Sequence, residues 1–197
     1  METIFKTGYN KIINLFYSEK FVKIHLREIA RKTKLNENSV SRFLNQLEEN
    51  NILKSEKEGN LKKYFISKNK LVFSLFSILD VEKFEELPVL RKNAVNYLLD
   101  RLNIKPLAVI LFGSSAKGNF SKNSDIDLLL IVNEKIKTKI AEDYSESQTG
   151  IKINILQVNY KDFVNELKIK EDKVIQSALE TGYPIFNPLF YYQEVLK

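Results

Sequence analysis

Apolar residues recur with a helical period through the first fifty positions of the chain. Between residues 3 and 17 they follow i, i+3 and i+4 spacing and predict one amphipathic helix. A second, shorter helix is predicted from about Leu26. A third follows Asn36, whose side-chain oxygen can accept a hydrogen bond from a first-turn N–H group. The third helix is predicted to bury four residues: Val40, Phe43, Leu44 and Leu47.

After the third helix the pattern changes from helical to partly alternating. Residues 52–66 alternate around Gly59-Asn60, which predicts a β-hairpin with a tight turn. Two helices joined by a tight turn and followed by a hairpin resemble a winged helix-turn-helix domain. We assign this domain to residues 1–68.

The exposed face of the third helix is rich in small polar groups. Asn, Ser, Gln and Arg side chains can reach base edges in a major groove, and lysines of the hairpin can neutralise phosphates of double-stranded DNA. The candidate DNA-contacting residues are Asn38, Ser39, Ser41, Arg42, Gln46 and Lys62. Two other interpretations stay open, namely a basic face that is merely solvated and a winged module that docks a protein.

Residues 69–104 are predicted to form a helical connector. Residues 71–79 are apolar nearly all round, which favours a helix buried between the two parts of the chain or between the subunits of a homodimer. Pro88 is predicted in the first turn of another helix, where its missing N–H group costs nothing. The apolar face of that helix is predicted to contain Leu90, Ala94, Leu98 and Leu102.

A short apolar run and a glycine-containing turn follow Pro106. Residues 107–112 predict a buried strand, which ends at the sequence Gly113-Ser114-Ser115-Ala116-Lys117-Gly118. A glycine at a strand end lets a backbone or a ligand approach closely, and a short helical turn after it would direct N–H groups at an anion. The turn that begins with Gly113 and Ser114 is therefore a candidate phosphate-binding site.

A pair of aspartates precedes the next apolar run. Asp125-Ile126-Asp127 leads directly into residues 128–132, and on a strand the two carboxylates project from one face about 6–7 Å apart. Two carboxylates at that spacing can hold Mg²⁺, which prefers oxygen ligands and accepts phosphate oxygens in the rest of its shell. The turn and the aspartate pair together predict a site for a nucleoside triphosphate (NTP) with magnesium.

Composition narrows the chemistry that such a site can use. The 197 residues include no cysteine and one histidine, His25, which excludes a disulfide framework, a cysteine-based zinc finger and a thiol nucleophile and argues against a Ser-His-Asp triad. The net charge of +6 lies in residues 1–68, which hold 14 basic and 8 acidic side chains. The charge therefore favours an anionic partner for the first part of the chain.

No segment of the sequence has the character of a membrane or export signal. The longest uninterrupted apolar run is residues 107–112, far short of the about 20 residues that span a bilayer. Lys6 and Lys11 interrupt any signal-peptide core near the N-terminus. We therefore expect no membrane partner and a cytoplasmic protein, in agreement with the absence of cysteine.

The combined motif resembles the signature of the minimal nucleotidyltransferases, small archaeal and bacterial members of the DNA polymerase beta superfamily. Residues 111–118 and 124–128 carry the resemblance, which covers about residues 90–186. A winged helix joined to such a domain is similar to archaeal nucleotidyltransferases and regulators. The resemblance implies a mixed α/β (α+β) fold, with a short mixed sheet flanked by helices in residues 105–197. It also implies transfer of a nucleoside monophosphate from an NTP, with ATP the expected donor, to an acceptor hydroxyl.

The resemblance also implies roles by position. Gly113 and Ser114 would hold the β- and γ-phosphates, and Asp125 and Asp127 would be the catalytic ligands of Mg²⁺. Lys117 would be a further nucleotide-binding residue, although the family frequently has Arg here, and Lys keeps the charge without the fork geometry.

The third acid of the family is absent from its expected place. Residues 150–156 predict the corresponding strand, with isoleucines on the buried face and Asn154 at the position of the acid. An amide can offer one carbonyl oxygen to Mg²⁺, but it supplies no negative charge and cannot act as a base near neutral pH. Lys152 beside it further disfavours a cation.

Three explanations of this departure stay open. An acid of the preceding segment, Glu142, Asp143 or Glu146, could take the place of the missing one. A partner protein or the acceptor could complete the site. Alternatively, the domain binds a nucleotide, or nothing, without turnover.

Two functions follow from the sequence. The first is a Mg²⁺-dependent nucleotidyltransferase whose winged helix recruits a nucleic acid or a protein as the acceptor. The second is a DNA-binding transcriptional regulator whose degenerate transferase domain serves as a nucleotide sensor or a dimerisation body. Asn154 favours the second function, whereas the intact Gly-Ser and Asp-x-Asp motifs favour the first.

Overall fold

The packing of helices and strands divides the chain near residue 72. A computed structural model describes residues 8–197 and separates two units, Met1–Val72 and Phe73–Lys197. Residues 3–7 of the first predicted helix lie outside the described residues.

The described part of the first unit is a winged helix-turn-helix, as the sequence predicted. Its strands form an antiparallel sheet in the order β1-β3-β2. Gly59 and Asn60 join the last two strands, and Gly59 adopts a φ of +59°, which residues with a side chain rarely do. The elements are α1 (Gly8–Ser18), β1 (Ile24–His25), α2 (Leu26–Thr33), α3 (Glu37–Glu49), β2 (Leu53–Glu58) and β3 (Leu61–Ile66).

Asn36 determines where α3 begins. Its Oδ1 accepts a hydrogen bond from the Ser39 N–H group at 2.8 Å, so the predicted cap is confirmed. Three of the four residues predicted as the core of this helix are fully buried: Val40, Leu44 and Leu47. Phe43 is only half-buried, because it lies at the margin of the apolar stripe, with its ring edge-on to Tyr9.

Helix α4 (Lys70–Glu85) crosses the division between the units and is buried along one stripe. Its buried apolar residues are Val72, Phe73, Phe76 and Leu79. Leu71 and Ile78 are about half exposed, so this chain alone does not bury the helix on all of its apolar sides. A helix that packs on one side leaves its opposite face to solvent whatever that face is made of. A role of this segment between two subunits stays a prediction.

Helix α5 (Val89–Arg101) follows, with Pro88 as its cap rather than in its first turn. Leu90, predicted on the apolar face, is 56% exposed, whereas Arg91 is only 3% exposed. Both positions lie three or four residues before Ala94 and fit the same helical period. The prediction for Leu90 is therefore wrong, and the buried position belongs to an arginine.

The second unit contains a mixed four-stranded sheet, as predicted. The strand order is β6-β5-β4-β7, in which β5 runs parallel to β6 and β4 runs antiparallel to both of its neighbours. The strands are β4 (Ala108–Phe112), β5 (Ile126–Val132), β6 (Ile153–Asn159) and β7 (Tyr183–Phe186). The predicted strand over residues 150–156 thus begins only at Ile153 and continues further than expected.

Five more helices surround this sheet. They are α6 (Gly113–Lys117), α7 (Lys139–Thr149), α8 (Tyr160–Ile169), α9 (Lys173–Thr181) and α10 (Pro188–Val195). Among the helices of residues 8–197, none combines the length and the apolar character that crossing a bilayer requires.

The two central strands are buried on both faces. Every residue from Ala108 to Leu111 and from Leu128 to Ile131 is fully buried. A strand covered on both faces needs a continuous apolar run rather than alternation, which is why the sequence signals both strands so clearly. These strands fix the position of the chain segments that leave their ends.

A buried carboxylate ties α10 to α4 within the second unit. Asp80 accepts hydrogen bonds from the Tyr192 hydroxyl at 2.9 and 3.1 Å, and the Tyr192 ring packs edge-on against Phe76. The neighbouring Tyr191 is fully buried as well, but its hydroxyl has no hydrogen-bond partner among residues 8–197. Burial, with a smaller contribution from Asp80, raises the pKa of Tyr191 above its ordinary value.

We expect Tyr192→Phe to lower the free energy of unfolding by about 1.5–3 kcal/mol, because a buried carboxylate loses a hydrogen-bond donor. Tyr191→Phe is the matched control, and its effect should stay within about 0.5 kcal/mol, because its hydroxyl makes no such bond. Urea unfolding followed by circular dichroism measures both changes. Equal losses for the two variants would contradict this account of Asp80.

Candidate functional site

Three strand ends meet at one edge of the sheet in the second unit. Because β4 is antiparallel to β5, the end of β4 lies beside the start of β5; because β6 is parallel to β5, it starts at the same edge. The register pairs Phe112 with Asp127 on one side and Asp127 with Asn154 on the other. Segments far apart in sequence thereby meet at Asp127.

The two aspartates converge on a single atom. Asn154 Nδ2 donates a hydrogen bond to Asp125 Oδ2 at 3.2 Å and another to Asp127 Oδ1 at 3.1 Å. Asp125 immediately precedes β5 and Asp127 is its second residue, so alternation along the strand directs both carboxylates to one face. One small group can therefore contact both carboxylates at the same time.

A lysine lies next to this pair. Lys152 Nζ is 3.9 Å from Asp125 Oδ2, and the two side chains are 62% and 40% exposed. An ion pair so open to solvent contributes about 0–1 kcal/mol. Lys152 therefore reduces the negative potential of the site without closing it.

Gly113 is fixed by its backbone and by the aspartate behind it. Its φ is +69°, and a Cβ at this position would lie 3.2 Å from Asp127 Cγ and closer still to Oδ2. The sequence suggested that this glycine makes room for a backbone or a ligand; in the structure the adjoining space holds the Asp127 carboxylate. The turn and the aspartate pair are thus in direct contact.

The turn that follows Gly113 is short and tightly closed. In α6 the Ser114 carbonyl accepts hydrogen bonds from the N–H groups of Gly118 and Asn119, and Gly118 ends the helix with a φ of +71°. Ser114 is half-buried and Lys117 is exposed. Ser114 directly follows Gly113, the residue in contact with Asp127, whereas Lys117 lies at the other end of the turn.

Lys117 lines a cavity of about 330 Å³ that the aspartates do not line. The described residues around this cavity are Lys83, Glu86, Leu87, Ser115, Ala116, Lys117, Gly118, Phe120 and Tyr183. The structure thus brings together Gly113, Asp125, Asp127 and Asn154, and it places Lys117 in the lining of this cavity.

The acids of α7 do not complete the aspartate pair. Asp143 forms an ion pair with Lys139 at 2.8 Å on the same helix. Within residues 8–197, no group of three His, Cys, Asp or Glu side chains gathers closely enough to hold a metal ion. The alternative that Glu142, Asp143 or Glu146 takes the place of the missing acid is therefore not supported, because none of these acids joins the two aspartates in such a group.

The oxygen atoms of Asp125, Asp127 and Asn154 are of the chemical types that bind hard divalent cations. Two carboxylates converge, and Asn154 could turn its terminal amide to offer its oxygen in place of its nitrogen, since that torsion is roughly two-fold. Carboxylate and amide oxygens are ligands that Mg²⁺ and Ca²⁺ accept.

Arg91 is a residue of this region that sequence reasoning missed. Its Nη1 donates to Ser115 Oγ at 2.9 Å, and its Nη2 donates to the carbonyls of Ser121 and Ser124 at 3.1 and 2.6 Å. Its guanidinium also lies over the Phe120 ring, 4.2 Å from the centroid. Burial lowers the pKa of Arg91, and the nearby Asp125 opposes that shift.

The winged helix places its candidate residues on α3 and β3. Three are exposed and four residues apart, so they follow one side of α3: Asn38, Arg42 and Gln46. Ser39 and Ser41 are half-buried.

Lys62 lies in the hairpin of β2 and β3, which we call the wing, and it is already paired within the unit. Its Nζ lies 2.7 Å from Glu48 Oε2 on α3, and this bond raises the pKa of Lys62. Ser55 Oγ donates to the other oxygen of Glu48 at 2.5 Å. The sequence indicated Lys62 by its charge, but no local pattern indicates that it pairs with Glu48.

The solved structures that are similar to this chain include a winged-helix protein and a chromatin protein. The homodimeric winged helix-turn-helix DNA-binding domain of a possible ArsR-family transcriptional regulator from Mycobacterium bovis has a TM-score of 0.34 and 23% identity, over 41% of this chain and 71% of its own. TrmBL2, an archaeal chromatin protein, has a TM-score of 0.25 and 17% identity, over 87% of this chain and 78% of its own. Neither similarity is high enough to indicate a shared function.

The family comparison concerns the second unit. None of the curated proteins compared with the chain matches it. Residues 91–183 match the family described as "Nucleotidyltransferase domain", and they span Arg91, the Gly113 turn, the aspartate pair and Asn154. The chain thus contains a nucleotidyltransferase domain at residues 91–183.

Proposed function

We propose that this domain transfers a nucleoside monophosphate from an NTP, with ATP as the first donor to test, to a hydroxyl group of a protein or nucleic acid in a Mg²⁺-dependent reaction. The observation that carries the proposal is the convergence of Asp125 and Asp127 on one atom beside the Gly113 turn. In this proposal the winged helix-turn-helix binds double-stranded DNA or a partner and so brings an acceptor to the enzyme.

Asp125 and Asp127 would hold Mg²⁺, with the amide oxygen of Asn154 as a further ligand. When bound, the cation would supply positive charge to the phosphoryl oxygens of the NTP. Gly113 and Ser114 would bind the β- and γ-phosphates, because the turn leaves backbone close to the carboxylates with no side chain at Gly113.

The bond changes in this reaction are simple to state. The acceptor oxygen forms a bond to the α-phosphorus, the bond from that phosphorus to the bridging oxygen breaks, and pyrophosphate leaves with the electron pair. The acceptor also releases a proton, which the neutral amide of Asn154 cannot take. Proton acceptance therefore falls to the carboxylate of Asp125 or Asp127, or to solvent.

One observation favours a second candidate function. Asn154 donates to both carboxylates where the family has an acid, so the site lacks a negative charge that would favour a cation and activate an acceptor. In this alternative the protein is a DNA-binding transcriptional regulator, and the domain binds a nucleotide, or serves in dimerisation, without transfer.

A labelling experiment separates the two functions. The purified full chain is incubated with Mg²⁺ and each α-³²P-labelled NTP, alone, with duplex DNA and with cell extract. Label on a macromolecule together with pyrophosphate release supports the transferase. Nucleotide binding with no label in any arm supports the regulator.

We expect Asp127→Asn to abolish the Mg²⁺-dependent thermal stabilisation of the chain by ATP, because one of the two converging carboxylates loses its charge. At a ligand concentration one hundred times Kd, the wild type should gain about 2.7 kcal/mol from binding. Asp143→Asn, an exposed carboxylate of α7, is the matched control and should keep the stabilisation. If no NTP stabilises the wild type with Mg²⁺, the transferase proposal is wrong.

Asn154→Asp should increase the affinity for Mg²⁺ about tenfold, because affinity for hard cations rises with the number of charged ligands. Isothermal titration with Mg²⁺ measures this change, and Asn103→Asp, at an exposed position between α5 and β4, is the matched control. Without metal, three carboxylates in this position repel one another, so the variant should also unfold at a lower temperature. An unchanged affinity would show that position 154 does not face the cation.

Arg42→Gln should weaken binding of the full chain to a mixed-sequence DNA duplex and lower the salt slope by about 1 if Arg42 contacts a phosphate. Lys62→Gln should have the smaller effect, because Glu48 already pairs with that lysine. Fluorescence anisotropy at several salt concentrations measures both, with Lys168→Gln of the second unit as the control. Binding of the wild type that does not respond to salt would argue against phosphate contacts.

A further inference from the structure

The loop between α6 and β5 connects the two halves of the candidate site. It runs from Gly118 to Asp125, so it starts at the end of the phosphate-binding turn and finishes at the first aspartate. Its own contacts are local: the Ser124 hydroxyl accepts a hydrogen bond from the Ser121 N–H group at 2.9 Å, and the Ser124 N–H group donates to the Ser121 carbonyl at 3.1 Å. These bonds shape the loop, and its Phe120 side chain packs against the core of the domain, but neither provides a polar link between the loop and α5.

Arg91 supplies that polar link from α5. One nitrogen of its guanidinium binds Ser115 on α6, and the other binds the carbonyls of Ser121 and Ser124. Ser124 is the residue directly before Asp125. A single side chain therefore links the turn, the loop and the start of the aspartate pair.

The chemistry of this contact requires arginine. A planar guanidinium presents several N–H donors in a rigid fork, which suits acceptors on two sides, whereas lysine presents one compact ammonium group. Burying the charge of Arg91 has a desolvation cost, which the three hydrogen bonds, the Phe120 ring and the charge of Asp125 offset. An apolar side chain such as the Leu at position 90 could fill the space but could not make these bonds.

We infer that Arg91 is a positioning residue, which couples nucleotide binding at the Gly113 turn to metal binding at Asp125 and Asp127. This inference rests on the proposed function. Arg91 acts through Ser115 and the loop. When the nucleotide fixes the position of the turn, or the metal fixes the position of the aspartates, the hydrogen bonds of the guanidinium restrict the motion of the other part as well. The measurable quantity is the factor by which Mg²⁺ increases the affinity of the chain for ATP.

The main test compares ATP affinity with and without Mg²⁺ in the wild type and in Arg91→Lys. We expect the increase caused by Mg²⁺ to fall about tenfold in the variant. Arg101→Lys, on the same helix but exposed and held over the Tyr144 ring, is the matched control and should keep the full increase. An unchanged increase in Arg91→Lys would overturn the inference.

A second pair of variants perturbs the contact without removing a buried charge. Ser115→Ala deletes the acceptor of Arg91 Nη1, and Ser145→Ala deletes an equally buried hydroxyl that bonds to the Ala94 carbonyl of the same helix. Both lose one buried hydrogen bond, so general destabilisation should be similar. Only Ser115→Ala should lower the effect of Mg²⁺ on ATP affinity, and equal effects in the two variants would overturn the inference.

Chemical rescue and amide exchange complete the test. Arg91→Ala leaves a space that free guanidinium can enter, so low concentrations of guanidinium should restore the effect of Mg²⁺, while the same concentration of ammonium should not. Without nucleotide, hydrogen exchange should become faster in Arg91→Ala for residues 115–125 and return toward the wild-type rate with guanidinium. If Arg91→Ala does not fold, Arg91→Lys and Ser115→Ala give the same comparison.

These measurements separate failure of the inference from failure of the proposed function. If the wild type does not bind ATP with Mg²⁺, the proposed function is wrong and the coupling role fails with it, while the exchange data still show whether Arg91 holds the loop. If the wild type binds ATP with Mg²⁺ but exchange at residues 115–125 is unaffected in Arg91→Ala, the proposed function stands and the inference is wrong.

Discussion

The candidate site depends on the pairing of β5 with its two neighbours. Antiparallel pairing with β4 and parallel pairing with β6 bring the Gly113 turn, Asp127 and Asn154 to one edge of the sheet. A shift of either register by one residue would move Asp127 to the opposite face. Such a shift is costly, because it would carry a carboxylate into the space that the fully buried run after Asp127 occupies. The same run that forms the core therefore also aligns the polar residues before it.

Charge balance explains why the site can exist before any ligand binds. Two carboxylates that converge repel each other unless something donates to them or neutralises them. Asn154 donates to both, the exposed Lys152 lies nearby, and the charge of buried Arg91 interacts with Asp125. The family position of the third acid thus carries a group that stabilises the pair and cannot take a proton. Asn154 therefore stabilises the two aspartates against their mutual repulsion, but it gives a weaker cation site than an acid at this position would.

In the first unit, ion pairs on the wing reduce the positive charge that is available to a partner. Lys62 pairs with Glu48 and Lys63 pairs with Glu58, so part of the wing charge is neutralised inside the unit. An anionic partner must compete with these carboxylates for both lysines. Arg42, on the polar side of α3, is exposed and forms no ion pair within residues 8–197; its guanidinium lies over the Phe43 ring. A count of charges therefore overestimates the positive charge that the wing offers to an anionic partner and underestimates the contribution of α3.

The sequence by itself determined both architectures and the local motifs, because helix caps, apolar runs and turn glycines act over a few neighbouring residues. The cap at Asn36, the wing around Gly59 and the apolar runs of β4 and β5 needed no information from elsewhere. Only the tertiary structure decided that Asn154 contacts both aspartates and that Arg91, rather than Leu90, is buried beneath the loop. Positions 90 and 91 both fit the helical period of α5. Arg91 is the buried one because its hydrogen-bond acceptors lie more than twenty residues away along the chain, and no local pattern can encode such contacts.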